Sequence, residues 1–218
     1  MKTAFIFFSL VLCISIVHAQ SNLLTQVGTG QLYLKTQSNE FDGSPFLIEN
    51  PVLGNVKLSF GKTYDNLQLL FDAYNNRVYY FEKDSIYQLI DVVVEFSLIE
   101  KNVTRQFKRI PADVKLLDGK FVEVLTEGKI TIVHYHSKKL EESAVYGGTA
   151  KKSMIDLKET YFISNGKWKV AHYGLSNLNE LTSDQQTALQ AFLDKEKLNV
   201  KKEKGFIAAI QYYNSLFQ

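Results

Sequence analysis

His134-Tyr135-His136 sets two imidazoles two residues apart. On a β-strand such residues point to the same face, so the pair could share a metal ion. His172 has Trp168 and Val170 on its side of a later predicted strand and is the candidate third ligand. Ile130 and Ile132 share the face of the pair, so the same histidines also suit plain packing at the end of an apolar face. Nothing in the sequence sets His172 beside them.

Other chemistries fail on spacing or residue type. Gly61-Lys62-Thr63 has the ending of a phosphate-binding loop, but six residues separate Gly54 from Gly61 where such a loop has four, and no helix follows. It reads as a hairpin turn. Ser44 lies between Gly43 and Pro45 in a turn, and the chain has no Gly-x-Ser-x-Gly elbow. Asp84, Asp91 and Glu95 are near enough in the chain to suggest an acid pair for sugar hydrolysis, but carboxylates at this density suit a solvated sheet face. Tyr74, Tyr79, Tyr80, Phe81 and Tyr87 cluster over two hairpin strands, where they serve either cross-strand packing or, if turned outward, a glycan or partner surface. No catalytic, cofactor-binding or metal site is assigned from these patterns, and no cofactor is expected.

The elements that would position these residues are mostly strands. Segments rich in Val, Ile, Phe and Tyr, bounded by turn residues, predict strands at Val52–Phe60, Leu67–Tyr74, Arg77–Lys83, Ile86–Ile90, Val92–Ile99, Arg105–Ile110, Phe121–Thr126, Lys129–His136, Glu159–Ser164 and Lys167–Tyr173. Asn75-Asn76, Glu127-Gly128 and Asn165-Gly166 are hairpin signals, so consecutive strands run antiparallel. Past Gly174 the period changes. Thr182-Ser183-Asp184-Gln185 has the form of a capping box ahead of Ala188, Leu189, Phe192 and Leu193 on one helical face. A second helix from about Lys202 carries Phe206, Ile210, Tyr213 and Phe217 as an apolar stripe.

Composition narrows the function classes. The 218 residues are 45% hydrophobic and 22% charged, with Lys+Arg 25 against Asp+Glu 23, which is the balance of a folded protein without the basic excess that nucleic-acid binding needs. Lys2, the apolar stretch Ala4–Val17 and the small residue Ala19 before Gln20 have the form of a secretory signal peptide. The stretch is shorter than the roughly 20 residues that span a bilayer. Cleavage after Ala19 would remove Cys13, the single cysteine, and leave a chain without disulfides, which suits a bacterial envelope.

The order Gly43-Ser44-Pro45-Phe46-Leu47, then Gly54-Asn55-Val56-Lys57-Leu58, then Leu67-Gln68-Leu69-Leu70-Phe71-Asp72-Ala73-Tyr74-Asn75-Asn76, resembles a group of exported, β-rich proteins of unknown function from Bacteroidota. Gly119–Lys129 and the tail with Phe192-Leu193, Leu198 and Tyr212-Tyr213-Asn214 are similar to that group as well. Phe71-Asp72-Ala73-Tyr74 departs from the group's Arg-Tyr-Asn-Ile form. The resemblance implies an origin and an envelope location, and carries no activity.

The expected fold is mainly β (α+β), an antiparallel bent sheet or partly closed barrel with two C-terminal helices packed on it. The expected organisation is a signal peptide at 1–19, a lead-in segment with one short strand at 20–42, an antiparallel β domain at 43–175 and a helical tail at 176–218. The expected function is that of an exported, non-catalytic binding or interaction module of the bacterial cell envelope, acting in the periplasm or at the outer-membrane surface. Its partner would be an envelope protein, glycan or lipid, with no nucleic acid, and the mature chain would not be an integral membrane protein. A periplasmic carrier of an apolar ligand such as a lipid is the alternative, and a metal-dependent enzyme using His134 and His136 the third reading.

Overall fold

A computed structural model describes residues 30–33, 41–89, 92–111, 117–143, 151–164 and 166–218, with backbone alone for 30–33 and Lys151. The segment expected to be a signal peptide, most of the lead-in, Asp91 and Asn165 lie outside the described residues. The strands are β1 (Gly30–Tyr33), β2 (Val52–Leu58), β3 (Thr63–Asp72), β4 (Arg77–Glu82), β5 (Ser85–Leu89), β6 (Val93–Glu100), β7 (Val103–Arg109), β8 (Phe121–Thr126), β9 (Ile130–Ser143), β10 (Lys151–Ser164) and β11 (Lys167–Val170). Helices α1 (Leu175–Leu181), α2 (Gln186–Glu196) and α3 (Glu203–Ser215) follow. The strands form one sheet in the order β1-β5-β4-β3-β2-β6-β7-β8-β9-β10-β11, antiparallel at every pairing and open at both edges. The mainly β fold is as expected, and β1 is the short strand of the lead-in, added beside β5.

Chain length forces this sheet to curl. In a flat sheet β5 and β6 would stand four strand spacings apart, about 19 Å. The link from Leu89 to Val93 reaches at most about 14 Å, so the two strand ends must approach through space. The aromatic core agrees. Phe71 on β3 and Phe121 on β8 are also four spacings apart along the sheet, yet their ring centroids lie 6.1 Å apart, with Phe96 (β6) and Phe107 (β7) stacked between them at 4.5 Å. These four rings fill the concave face together with Leu69, Leu98, Val56 and Leu58, all nearly inaccessible. On the convex face Phe46 packs edge-on against Tyr79, held there because Leu47 N donates to Phe71 O and Ala73 N to Pro45 O.

The aromatic hairpin is therefore packing on both faces. Tyr79 and Tyr80 are buried, Tyr80 stacks on Tyr87 at 5.1 Å, and only Tyr74 of the five is exposed. Gly61-Lys62-Thr63 occupies the β2–β3 turn, as its spacing implies.

The tail has three helices where two were expected, because Leu175–Leu181 forms a helix of its own around the buried Leu178. That helix also dismantles the expected capping box. Thr182 closes α1, its N–H and hydroxyl both donating to Leu178 O (3.0 and 2.7 Å), and α2 begins at Gln186 without a side-chain cap. The stripe on α3 packs on β9 and β10: Phe206, Ile210 and Tyr213 are buried with Ile130, Ile132 and Phe162, and the Phe206 ring stacks on Phe162 at 5.1 Å. Phe217 departs from the expectation and is 45% exposed. Asn214 fastens the helix to the β8–β9 hairpin, accepting from Ile130 N (3.0 Å) and donating to Ile130 O (2.7 Å). Gly128 is required in that turn, since a Cβ there would stand 2.6 Å from the Asn214 side chain.

β9 and β10 run seven and eight residues beyond their expected ends, as a two-stranded ribbon. The apolar alternation stops after His136 because the ribbon has no core beneath it; Lys138 and Asp156 instead pair directly opposite each other at 2.8 Å. Asp42 pairs with the ribbon beside Ser153. Among the described residues no helix is long and apolar enough to cross a membrane.

Candidate functional site

The alternation of β9 turns Ile130, Ile132, His134 and His136 to the concave face, where antiparallel register sets Phe107, Glu123, His134 and Thr160 in one row across β7, β8, β9 and β10. Glu123 lies along β8 between Phe121 of the aromatic core and Leu125 against the helix-covered core. The polar cluster is thus a seam between two apolar regions. Glu123, His134 and His136 are each more than nine-tenths buried.

Arg105 on β7 grips Glu123 with a two-pronged pair, Nε to Oε1 and Nη2 to Oε2, both 2.8 Å. His136 Nε2 lies 2.6 Å from Glu123 Oε2. Burial works to raise the Glu123 pKa, but the hydrogen bonds from Arg105, His134 and His136 together outweigh it and hold the carboxyl well below the usual carboxylate range. Glu123 is therefore a carboxylate, and His136 must carry its proton on Nε2 to approach it so closely. The 3.2 Å contact between that nitrogen and Arg105 Nη2 then joins two donors and is no hydrogen bond.

His134 faces two carboxylates. Its Nδ1 is 3.8 Å from Glu123 Oε2, and its Nε2 donates to Glu203 Oε2 at 3.1 Å. Glu203 opens α3, where the helix dipole favours negative charge. Burial raises its pKa, and His134, Tyr173 and Lys158 reverse that to a net lowering. Tyr173 donates its hydroxyl proton to Glu203 (3.0 Å) and accepts from Thr160 (3.1 Å), while Lys158 Nζ reaches Glu203 at 3.3 Å. The two carboxylates are thus matched by one guanidinium, one ammonium and the N–H groups of the two imidazoles.

The two histidines expected to share a face do so, with rings 5.6 Å apart. His172 is not with them: it is exposed beyond β11, and Asn177 donates to its backbone oxygen. Of the acidic candidates, Asp84 sits in the β4–β5 turn and Glu95 pairs with Lys57 at 3.3 Å on the outside of the sheet, so they form no acid pair with each other. Ser44 Oγ accepts from Phe46 N at 3.2 Å and closes a turn. Sequence reasoning missed Arg105, Glu123, Lys158, Tyr173 and Glu203. Glu123 carried one signal, since it is a charge set between Phe121 and Leu125 on one strand face.

Glu123, His134 and His136 offer ligand atoms within 4.8 Å of one another, close enough for a metal. Their chemistry runs against one. Both Glu123 oxygens are held by Arg105, His136 Nε2 is a donor, and a dication here would stand beside the guanidinium. The arrangement is a closed ion-pair and hydrogen-bond network that joins β7, β8, β9, β10 and α3.

The surface clefts lie elsewhere. One of about 350 Å³ runs between the β10–β11 edge and α1, lined mainly by lysines, acids and serines such as Lys169, Glu180 and Asp184. Another of about 370 Å³ opens at the β3–β4 turn and contains Asn76, Arg77, Arg109 and Lys120. The space between sheet and helices is filled by Phe162, Phe206, Ile210 and Leu189. No known protein family, curated protein or solved structure matches the chain.

Proposed function

We propose that this chain is an exported, non-catalytic binding module of the bacterial cell envelope, of the kind its resemblance to Bacteroidota proteins implies. One observation carries the reading: among the described residues the one cluster of three side chains with metal-ligand spacing is buried and held within a closed ion-pair network, whereas open clefts lined by polar side chains lie away from it. The histidine cluster acts as a clasp that holds α3 to the sheet, and recognition belongs to the surface. The packed interior between sheet and helices offers little room for an apolar cargo.

The test joins export to binding. The chain expressed with residues 1–218 in a bacterial host is recovered from the envelope fraction with Gln20 as its N-terminus. A double variant His134→Gln, His136→Gln, refolded and checked by circular dichroism, then binds isolated envelope polysaccharide and protein fractions as the parent does. Cytoplasmic protein retaining residues 1–19 would overturn the export half. Loss of binding in a folded double variant would move function back to the histidines.

A further inference from the structure

The cleft at the β3–β4 turn has an electrostatic peculiarity. Arg109 donates from Nε to Val93 O and from Nη1 to Gly119 O, both 2.7 Å, and lies over the Phe121 ring at 4.1 Å. Among the described residues no carboxylate pairs with it. A half-buried guanidinium satisfied only by neutral groups retains its full charge, and burial pushes its pKa down. Among the described residues Arg77 and Lys120 also line the cleft, against one acid, Asp118, which is exposed. Arg77 donates to the neutral Gln88 at 3.2 Å.

A second, independent observation comes from Asn76. It is 8% exposed, and its Oδ1 accepts from Phe121 N at 2.9 Å, yet its buried Nδ2 has no hydrogen-bond partner among the described residues. A buried amide N–H without a partner is destabilising by about 1 to 3 kcal/mol. Asn76 shares the lining of the cleft with Arg77, Arg109 and Lys120. An orphan donor beside uncompensated positive charge is the complement of an oxyanion, and the planar amide and guanidinium suit the planar carboxylate.

We infer that the cleft bounded by Asn76, Arg77, Arg109 and Lys120 binds the carboxylate of a small hydroxylated acid, of the size and polarity of a sugar acid. About 370 Å³ accommodates one such molecule, and Asn75 and Gln88 in its lining keep amide atoms beyond their bonds to Asp72 and Arg77 with which to meet its hydroxyls. The inference rests on the reading of the chain as a binding module and names the ligand class of one cleft.

Isotope-labelled protein, residues 20–218, is titrated with D-glucuronate, D-gluconate and citrate, with D-glucose and inorganic phosphate as controls. At least one carboxylate is expected to shift the Asn76 side-chain amide resonance saturably, with a dissociation constant tighter than about 10 mM, and glucose is not. Lys120→Gln, an exposed change, weakens binding about two- to fivefold. Asn76→Asp keeps the acceptor for Phe121 N, replaces the donor by an acceptor and abolishes binding with the thermal midpoint preserved. Silence from all three acids, equal response to glucose, or binding of phosphate alone each overturns the inference. Such results leave the module reading intact if the protein still binds an envelope fraction, and the loss of both fails the two together.

Discussion

Replacing Arg105 with Met isolates the energetics of the buried clasp. Met approximates the length of the arginine stem and removes the only cation that touches Glu123 through two bonds. The side chains of Arg105 and Glu123 are 19% and 11% exposed, so the pair lies at the buried end of the range in which breaking one partner is destabilising by about 3 to 5 kcal/mol. His136 retains its hydrogen bond to Glu123 at 2.6 Å, which sets the expectation at the low end, about 3 kcal/mol. Against a typical total of about 5 to 15 kcal/mol this is a large share. Adding Glu123→Gln removes the stranded charge, so the double variant is more stable than Arg105→Met alone. Urea denaturation at pH 8 of the parent and both variants reads both expectations. An Arg105→Met midpoint equal to the parent's, or a double variant no more stable than Arg105→Met alone, would refute the argument that the network is held by mutual neutralisation.

Truncation before Thr182 removes Phe206, Ile210 and Tyr213 from Ile130, Ile132 and Phe162, each large side chain worth roughly 1.5 to 3 kcal/mol of burial. Residues 20–181 are therefore expected to aggregate or to unfold at a markedly lower urea midpoint than residues 20–218, and equal solubility with equal midpoints would make the helices an appendage. Asn214→Ala leaves the Ile130 backbone groups without their partners and lowers stability by about 1 to 3 kcal/mol, readable in the same denaturation series. Glu123 and Glu203 both have depressed folded-state pKa values, so their contribution is fully present above the ordinary carboxylate range and declines as pH falls through and below about 4.3. Thermal unfolding from pH 7 to pH 3 should show a midpoint that drops below pH 4.5, less steeply in Glu203→Gln; a parent and variant with parallel profiles would contradict it. Protein purified without chelator should contain zinc well below one ion per chain by elemental analysis, and one ion per chain would restore the metal reading.

The strand content, the hairpins and the helical tail were legible in the sequence because each rests on local rules. A run of β-forming residues closed by Glu127-Gly128 marks β8 to the residue, Asn75-Asn76 tolerates the turn that places Asn76 at φ 56, and the spacing of Phe206, Ile210 and Tyr213 declares one buried helical face. The shared orientation of His134 and His136 follows from the same alternation. Local rules also misled. Thr182-Ser183-Asp184-Gln185 has the letters of a capping box, but its threonine was taken by the helix before it. The outer halves of β9 and β10 escaped notice because a ribbon without a core carries no apolar period. What stood beside the histidines was a matter of tertiary structure alone. Arg105, Glu123 and Glu203 come from β7, β8 and α3, up to 98 residues apart in the chain (203 minus 105), and only register between strands and the docking of α3 bring their charges together. The sign and burial of charge around an imidazole decide whether it binds a metal, moves a proton or holds a helix in place, and those neighbours are assembled by curling the sheet, an event with no counterpart in any single stretch of sequence.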